Sequence, residues 1–226
     1  MSTPEIMIVL ATRNQGKVKE FQQILQPYNI DLKSLNDFGP IPEAAEDGAT
    51  FDDNAYQKAL LTAKALGLPA IADDSGLIVK ALNGMPGVRS ARYAGENAGD
   101  ADNIAKLLRE MEGIDERQAA FECVISIAVP SGPALTYEGR CEGEISLEVK
   151  GEGGFGYDPV FYYPPLKRTF AQCSAAEKNK VSHRGKALNE LGREFNKVLT
   201  WLNSRLSEAR PPKPDHKQFM DNDWSE

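Results

Sequence analysis

Histidine and cysteine are scarce, with two of the first and three of the second in 226 residues. His183 and His216 cannot populate an imidazole-rich zinc or copper site, and no Ser-His-Asp or Cys-His arrangement is evident around them. Cys123, Cys141 and Cys173 lie far apart without CxxC spacing, and an odd number cannot all pair within one chain. Reduced thiols in the cytoplasm are the expectation. Long apolar runs are also missing: the one over residues 6–11 is far too short to span a bilayer, and no basic stretch precedes it as in a secretory signal. Neither membrane insertion nor export is therefore expected. Nor is there a basic surplus, since 26 Lys and Arg face 33 Asp and Glu for a net charge of −7. That balance argues against a nucleic-acid partner. What remains, 41% hydrophobic and 26% charged residues, is the composition of an ordinary globular domain rather than of a disordered chain.

The apolar run over residues 6–11 reads as a buried strand, and the polar loop over residues 12–17 follows at once. Val18, Phe21, Leu25 and Tyr28 then recur at helical steps, with Pro27 as a breaker. Thr50 and Asp53 have capping-box spacing before a helix whose face carries Phe51, Ala55, Ala59, Ala63 and Leu66, closed by Gly67 and Pro69. A short strand over residues 70–72 leads into Asp73-Asp74-Ser75-Gly76, and residues 77–79 continue it or return as a hairpin arm. Asp102 is expected to cap a helix marked by Ile104, Leu107, Leu108 and Met111 and stopped at Gly113. Residues 119–129 and 135–149 read as strands, the second broken at Gly139 and Gly143; residues 151–165 read as a shaped loop. Leu188, Leu191, Phe195, Val198, Leu202 and Leu206 mark a long amphipathic helix to residue 206. No repeat or linker divides the chain, so the expectation is one α/β domain over residues 1–206, with a mixed sheet and two lobes flanking a cleft, and a flexible tail over residues 207–226.

Chemistry is concentrated in four places. Thr12, Arg13, Asn14, Gln15, Gly16 and Lys17 occupy a strand-to-helix turn, where free N–H groups and the helix dipole attract phosphate. It is no Walker A loop, because Ala11 and Val18 replace the first Gly and the Ser/Thr; the same residues also fit a plain cap followed by solvated Arg and Lys. Glu43, Glu46, Asp47, Asp52 and Asp53 crowd one stretch and Asp73-Asp74 form a second acidic site. Such hard oxygen donors suit Mg²⁺, although the first stretch also fits a solvated helix start. Two carboxylates after a buried strand must instead escape desolvation or find a cation. Residues 151–156 match GxGxxG, yet Pro159, Pro164 and Pro165 forbid the helix a dinucleotide fingerprint must open. Those glycines let backbone approach a ligand, with Phe155 or Tyr157 stacking on a base or else packing in the core. Finally, Glu177, Lys178, Ser182, His183 and Arg184 place donors before the last helix, able to read a purine carbonyl or phosphate, or to form an exposed basic turn capped by Ser182.

Taken in order, VLATRNQGK, AEDGATFDDNA, AIADDSGL, GVRSARYAG, GGFGYDPVF and EKNKVSHRGKAL resemble the motifs of the inosine triphosphate pyrophosphatase family. The resemblance spans residues 6–205 and implies an elongated mixed sheet between two lobes, homodimers, and hydrolysis of ITP, dITP or XTP. It also implies roles: Thr12, Asn14 and Lys17, with the rest of their loop, on the triphosphate; Glu46 and Asp74 on Mg²⁺, Asp74 doubling as general base; and Asp73 in support. Ser75, Phe155, Gly156, Tyr157, Asp158, Lys178, His183 and Arg184 would hold the nucleotide. Water would attack the α-phosphorus and pyrophosphate would leave. Donors from His183 and Arg184 to a 6-oxo group would reject adenine. One departure is Gln172, where the family commonly carries an acid. Two other readings remain open here: a septum-formation-inhibitor-like pyrophosphatase, disfavoured by the SHR and GGFGYDP segments, and a catalytically silent nucleotide sensor, which would not need Glu46 or Asp74.

Overall fold

The computed structural model describes residues 6–41, 44 and 47–208. The first apolar run forms β1 (Ile6–Leu10), with Ile8, Val9 and Leu10 buried. Asn14 then ends the turn and opens α1 (Gln15–Leu25), its Oδ1 accepting from the N–H of Gly16 at 2.8 Å and of Lys17 at 3.2 Å. After β2 (Ile30–Ser34), the expected capping box starts α2 (Phe51–Leu66): Thr50 Oγ1 accepts from Asp53 N–H and Asp53 Oδ2 from Thr50 N–H, both at 3.1 Å. Its small face, Ala55, Ala59 and Ala63, is fully buried, which lets the helix lie close on the alanines of the sheet.

Three long antiparallel strands follow, β3 (Ala70–Val79), β4 (Gln118–Ala128) and β5 (Ala134–Ile145), with α3 (Asp100–Glu110) between the first two. Two short strands, β6 (Phe161–Tyr163) and β7 (Arg168–Thr169), extend the sheet before α4 (Ala175–Val181) and α5 (His183–Glu208). The strand order is β2-β1-β3-β4-β5-β6-β7, parallel on both sides of β1 and antiparallel from β3 onward. Opposite ends of the long strands carry separate cores. At one end α1 and α5 pack Phe21, Leu25, Leu191 and Phe195 on Ile71, Ile125 and Ile127. At the other, Leu107 of α3 and Met111, which caps it, meet Leu77, Val79, Phe121 and Phe161. Burying each of these larger side chains contributes about 1.5–3 kcal/mol. The mixed α/β sheet with two lobes is thus the fold expected from the sequence.

Several details differ. Residues 70–79 are one unbroken strand rather than a short strand with a junction at the acid pair. β5 runs straight through Gly139 and Gly143, which are there for close approach: a Cβ at Gly139 would collide with the His183 carbonyl of α5, and one at Gly143 with the Phe161 ring. Gly99, not Asp102, occupies the cap of α3, and Asp102 Oδ2 reaches back to the Gly99 N–H at 3.0 Å. Ser207 and Glu208, assigned to the tail, belong to α5; residues 209–226 lie outside the described residues. Among the described residues no helix is long and apolar enough to cross a membrane.

Candidate active site

β1 pairs with β3 only through Ala70 and Ile71. Further along, the same edge of β3 is closed again by the segment around Pro86 and Ser90, where Ile78 bridges Pro86 and Leu77 N–H donates to Ser90 Oγ at 2.8 Å. Between these closures residues 73–76 have an open edge, and a cavity of about 240 Å³ lies there. Successive strand residues point to opposite faces, so Asp73 and Asp74 serve the two sides of that edge.

Asp73 is buried beneath the cavity. Lys17 Nζ reaches its Oδ1 at 2.8 Å, and Arg184 reaches its Oδ2 through Nε and a terminal nitrogen, each at 3.2 Å. Burial alone would raise this carboxyl, but the Lys17 ammonium and the Arg184 guanidinium outweigh it and hold the group well below the usual carboxylate range. Arg184 also approaches Ser75 Oγ at 3.4 Å and Glu20 Oε2 at 3.6 Å. On the other face Asp74 Oδ1 is 2.7 Å from Lys58 Nζ, and its Oδ2 accepts from Asn54 Nδ2 at 3.3 Å. At this wall of the cavity two carboxylates, Asp73 and Asp74, thus meet three cations, Lys17, Lys58 and Arg184.

The Gly-rich loop forms the other wall. Asp158, buried, pairs with Lys178, and its Oδ2 also accepts from Phe155 N–H at 3.0 Å. A Cβ at Gly154, where φ is +74°, would strike that carboxylate, so only glycine permits this turn. Phe155 is 53% exposed, with Lys178 Nζ 4.4 Å and Arg184 Cζ 5.7 Å from its ring centre. Tyr157 is buried and its hydroxyl donates to Ser90 O at 2.9 Å, so of the two rings proposed for stacking only Phe155 is presented to a ligand.

His183 is buried and stacks on Phe121 with centroids 4.7 Å apart; its Nδ1 has no hydrogen-bond partner among the described residues. Burial, then the neighbouring Arg184 and Lys178, push its pKa well below 6.5, so the ring is neutral at neutral pH. An unfolded chain would take up this proton near pH ~6.5 while the folded one does not, so the contribution is complete above that pH and is lost as pH falls, at most about 1.4 kcal/mol per pH unit. His183→Phe keeps the stacking and removes the proton. Calorimetry from about pH 7 to 5 is expected to give a flatter decline in Tm for the variant; parallel declines would show that His183 is not the group responsible.

Of the residues singled out by sequence, Lys17, Asp74, Ser75, Phe155, Gly156, Tyr157, Asp158, Lys178, His183 and Arg184 all line the cavity, and Asp73 supports it from below. Thr12, Arg13, Asn14, Gln15 and Gly16 do not line it. Asn14 caps α1 and Thr12 Oγ1 accepts from Asn14 N–H at 3.2 Å, while Arg13 turns away to donate to Leu35 O at 2.9 Å. Glu46 and Glu43 lie outside the described residues. Gln172 does not reach Lys178: its Oε1 accepts from Thr169 N–H at 3.0 Å, a local capping role that an amide performs as an acid would. Sequence reasoning missed Asn54 and Lys58, although their i, i+4 spacing beside the alanine face of α2 was a usable signal. Burial pushes the Cys123 thiol up to about 12 and the Cys141 thiol up to about 11, and none of the three cysteines is paired. These two buried thiols are unsuited to nucleophilic chemistry.

Among the described residues no three His, Cys, Asp or Glu side chains form a ready-made metal cluster. A cavity offering a carboxylate at Asp74 fits a hard cation that takes one or two carboxylates and completes its shell with substrate phosphates.

Fold and cleft together define the class: an α/β protein of mixed sheet, with a charged cleft between two lobes and an aromatic ring at its mouth. The chain belongs to the Ham1 family, whose sequence model matches residues 8–194. It is 63% identical over 219 residues to the dITP/XTP pyrophosphatase of Desulfotalea psychrophila, covering 97% of this chain and 98% of that one. Among solved structures, a HAM1 protein from Coxiella burnetii matches with a TM-score of 0.81 at 45% identity, over 85% of this chain and 99% of the other. The Staphylococcus aureus Ham1 protein gives 0.80 at 44% identity over the same shares. The six ordered motifs thus led to the right family.

Proposed function

We propose that this protein hydrolyses non-standard purine nucleoside triphosphates, ITP, dITP and XTP, to the monophosphate and pyrophosphate. The observation that carries the reading is one cavity lined by Lys17, Lys58 and Asp74 above the buried Asp73, with Arg184 reaching from Asp73 to the Phe155 ring and His183 lining the same space. Charge for a phosphate chain and an exposed ring for a base thus share one cavity. The 63% identical dITP/XTP pyrophosphatase supports the same substrate class.

Asp74 and Glu46 would hold Mg²⁺, which when bound supplies neutralising charge on the phosphates and acidifies water beside them. Lys17 and Lys58 bind the phosphate oxygens, exchanging some of their present carboxylate contact for the substrate's. Asp74 accepts the proton as water oxygen bonds to the α-phosphorus, and the bond from that phosphorus to the bridging oxygen breaks, releasing pyrophosphate. Asp73, kept ionised and clamped by Arg184, orients Lys17 without taking a proton. At the base, the N–H groups of neutral His183 and of Arg184 favour a 6-oxo acceptor over the adenine amino group. Following the family resemblance, the protein works as a homodimer in the cytoplasm, residues 1–206 acting as one unit.

A panel of ITP, dITP, XTP, GTP and ATP with Mg²⁺, analysed for nucleoside monophosphate and pyrophosphate, tests the reading. ITP, dITP and XTP are expected to turn over at least about 10²-fold more efficiently than ATP. Orthophosphate as the direct product, or equal rates with ATP, would sink it.

A further inference from the structure

We propose that Asp100 is a positioning residue for nucleotide binding, holding the turn at Phe155 and Gly156 in the shape that receives the base; this rests on the reading of the cleft as a purine nucleotide site. The turn is not built into the sheet. Its backbone bends through left-handed conformations at Gly154 (φ +74°) and Gly156 (φ +58°), and the Phe155 ring is half exposed, so core packing does not fix its position. Beside the backbone bond from Asp158 N–H to Phe155 O at 3.2 Å, three bonds involving side chains hold it. Phe155 N–H donates to Asp158, from within the loop itself, and the Tyr157 hydroxyl donates to Ser90 O. The third is Gly156 N–H donating to Asp100 Oδ2 at 2.6 Å, across 56 residues of sequence.

Asp100 is the first residue of α3 and lines the cavity. The positive end of that helix favours an ionised carboxylate there, and a bond from an amide to a charged acceptor is stronger than one between neutral groups. The same side chain is exposed and packs in no core, so its removal frees the turn without opening the lobe. With the tie in place, the ring of Phe155 is presented beside Lys178 and Arg184 before any ligand arrives; without it, ordering the turn becomes a cost of binding. Asp100 acts through the Gly156 amide and not on the proposed general base, Asp74, whose contacts are Lys58 and Asn54, so its effect falls on affinity rather than on the chemical step.

The test compares the full-length protein with Asp100→Ala and Asp100→Asn, measuring hydrogen exchange of the Gly156 amide without nucleotide and steady-state kinetics on ITP with Mg²⁺. In Asp100→Ala the amide is expected to exchange about tenfold faster and KM to rise about tenfold, with kcat within about twofold and Tm near wild type. Asp100→Asn keeps an oxygen acceptor and is expected to recover both readouts to within about threefold of wild type. Unchanged exchange in Asp100→Ala, a loss confined to kcat, or an Asn variant as impaired as Ala would each overturn the assignment. Should the wild-type protein leave ITP intact, the nucleotide reading fails, while the exchange measurement still decides whether Asp100 holds the turn.

Discussion

Asp74→Asn is expected to lower kcat for ITP by about 10²–10⁴-fold, the range in which a positioned general base acts. The amide keeps the shape of the carboxylate, and its one oxygen can still accept from Lys58 while the contact with the Asn54 amide, at 3.3 Å, is given up, so circular dichroism should match wild type and Tm should fall only slightly. It cannot take a proton from water, and it offers a cation one neutral oxygen in place of a charged pair. The two losses fall on the same rate, and titrating Mg²⁺ separates them: restored turnover at high Mg²⁺ marks a ligand role, whereas a persistent deficit marks the missing base. Near-wild-type kcat at every Mg²⁺ concentration would remove Asp74 from the mechanism.

The second large effect is on stability. Arg184→Met leaves the buried Asp73 carboxylate with Lys17 as its remaining strong partner, since the two guanidinium contacts at 3.2 Å disappear. Removing one partner of a buried ion pair costs about 3–5 kcal/mol, and the surviving Lys17 places this case near the lower figure. For a chain of this size that corresponds to a fall in Tm of about 6–12 °C. Because the penalty belongs to the stranded charge, adding Asp73→Asn to Arg184→Met should recover most of it. A single variant melting within about 2 °C of wild type, or a double variant that melts lower still, would show that Asp73 does not depend on the guanidinium.

The elements most readable from sequence were those with strong periodicity or a local cap. The residues at 18, 21 and 25 predicted the buried face of α1, and Thr50 with Asp53 marked the start of α2, because each signal is carried within one or two helical turns. β2 escaped notice although Ile30 and Leu32 alternate with Asp31 and Lys33; four half-buried residues and one buried serine at a sheet edge carry little contrast. Gly139 and Gly143 were misread as breaks because sequence shows that a side chain is missing but not what occupies its place. The occupant is α5 at Gly139, some forty residues on, and the Phe161 ring of β6 at Gly143. The same blindness moved the acid pair to a strand end, when the local pattern of residues 70–79 is in fact interrupted by a function within a continuous strand.

By itself the sequence determined the family, the α/β class and the chemical types that meet in the cleft, since residue identity and spacing along one element are local properties. Only the tertiary structure decided how those types are used. It set Asp73 and Asp74 on opposite faces of one strand, gave the first to Lys17 and Arg184 and the second to Lys58 and Asn54, and turned Arg13 away from the cavity. Pairing of charges depends on which groups desolvate one another, and these groups come from α1, α2, β3 and α5. Their distances are fixed by where β1 stops against β3 and by how closely α5 can lie on Gly139, neither of which is written in any one segment.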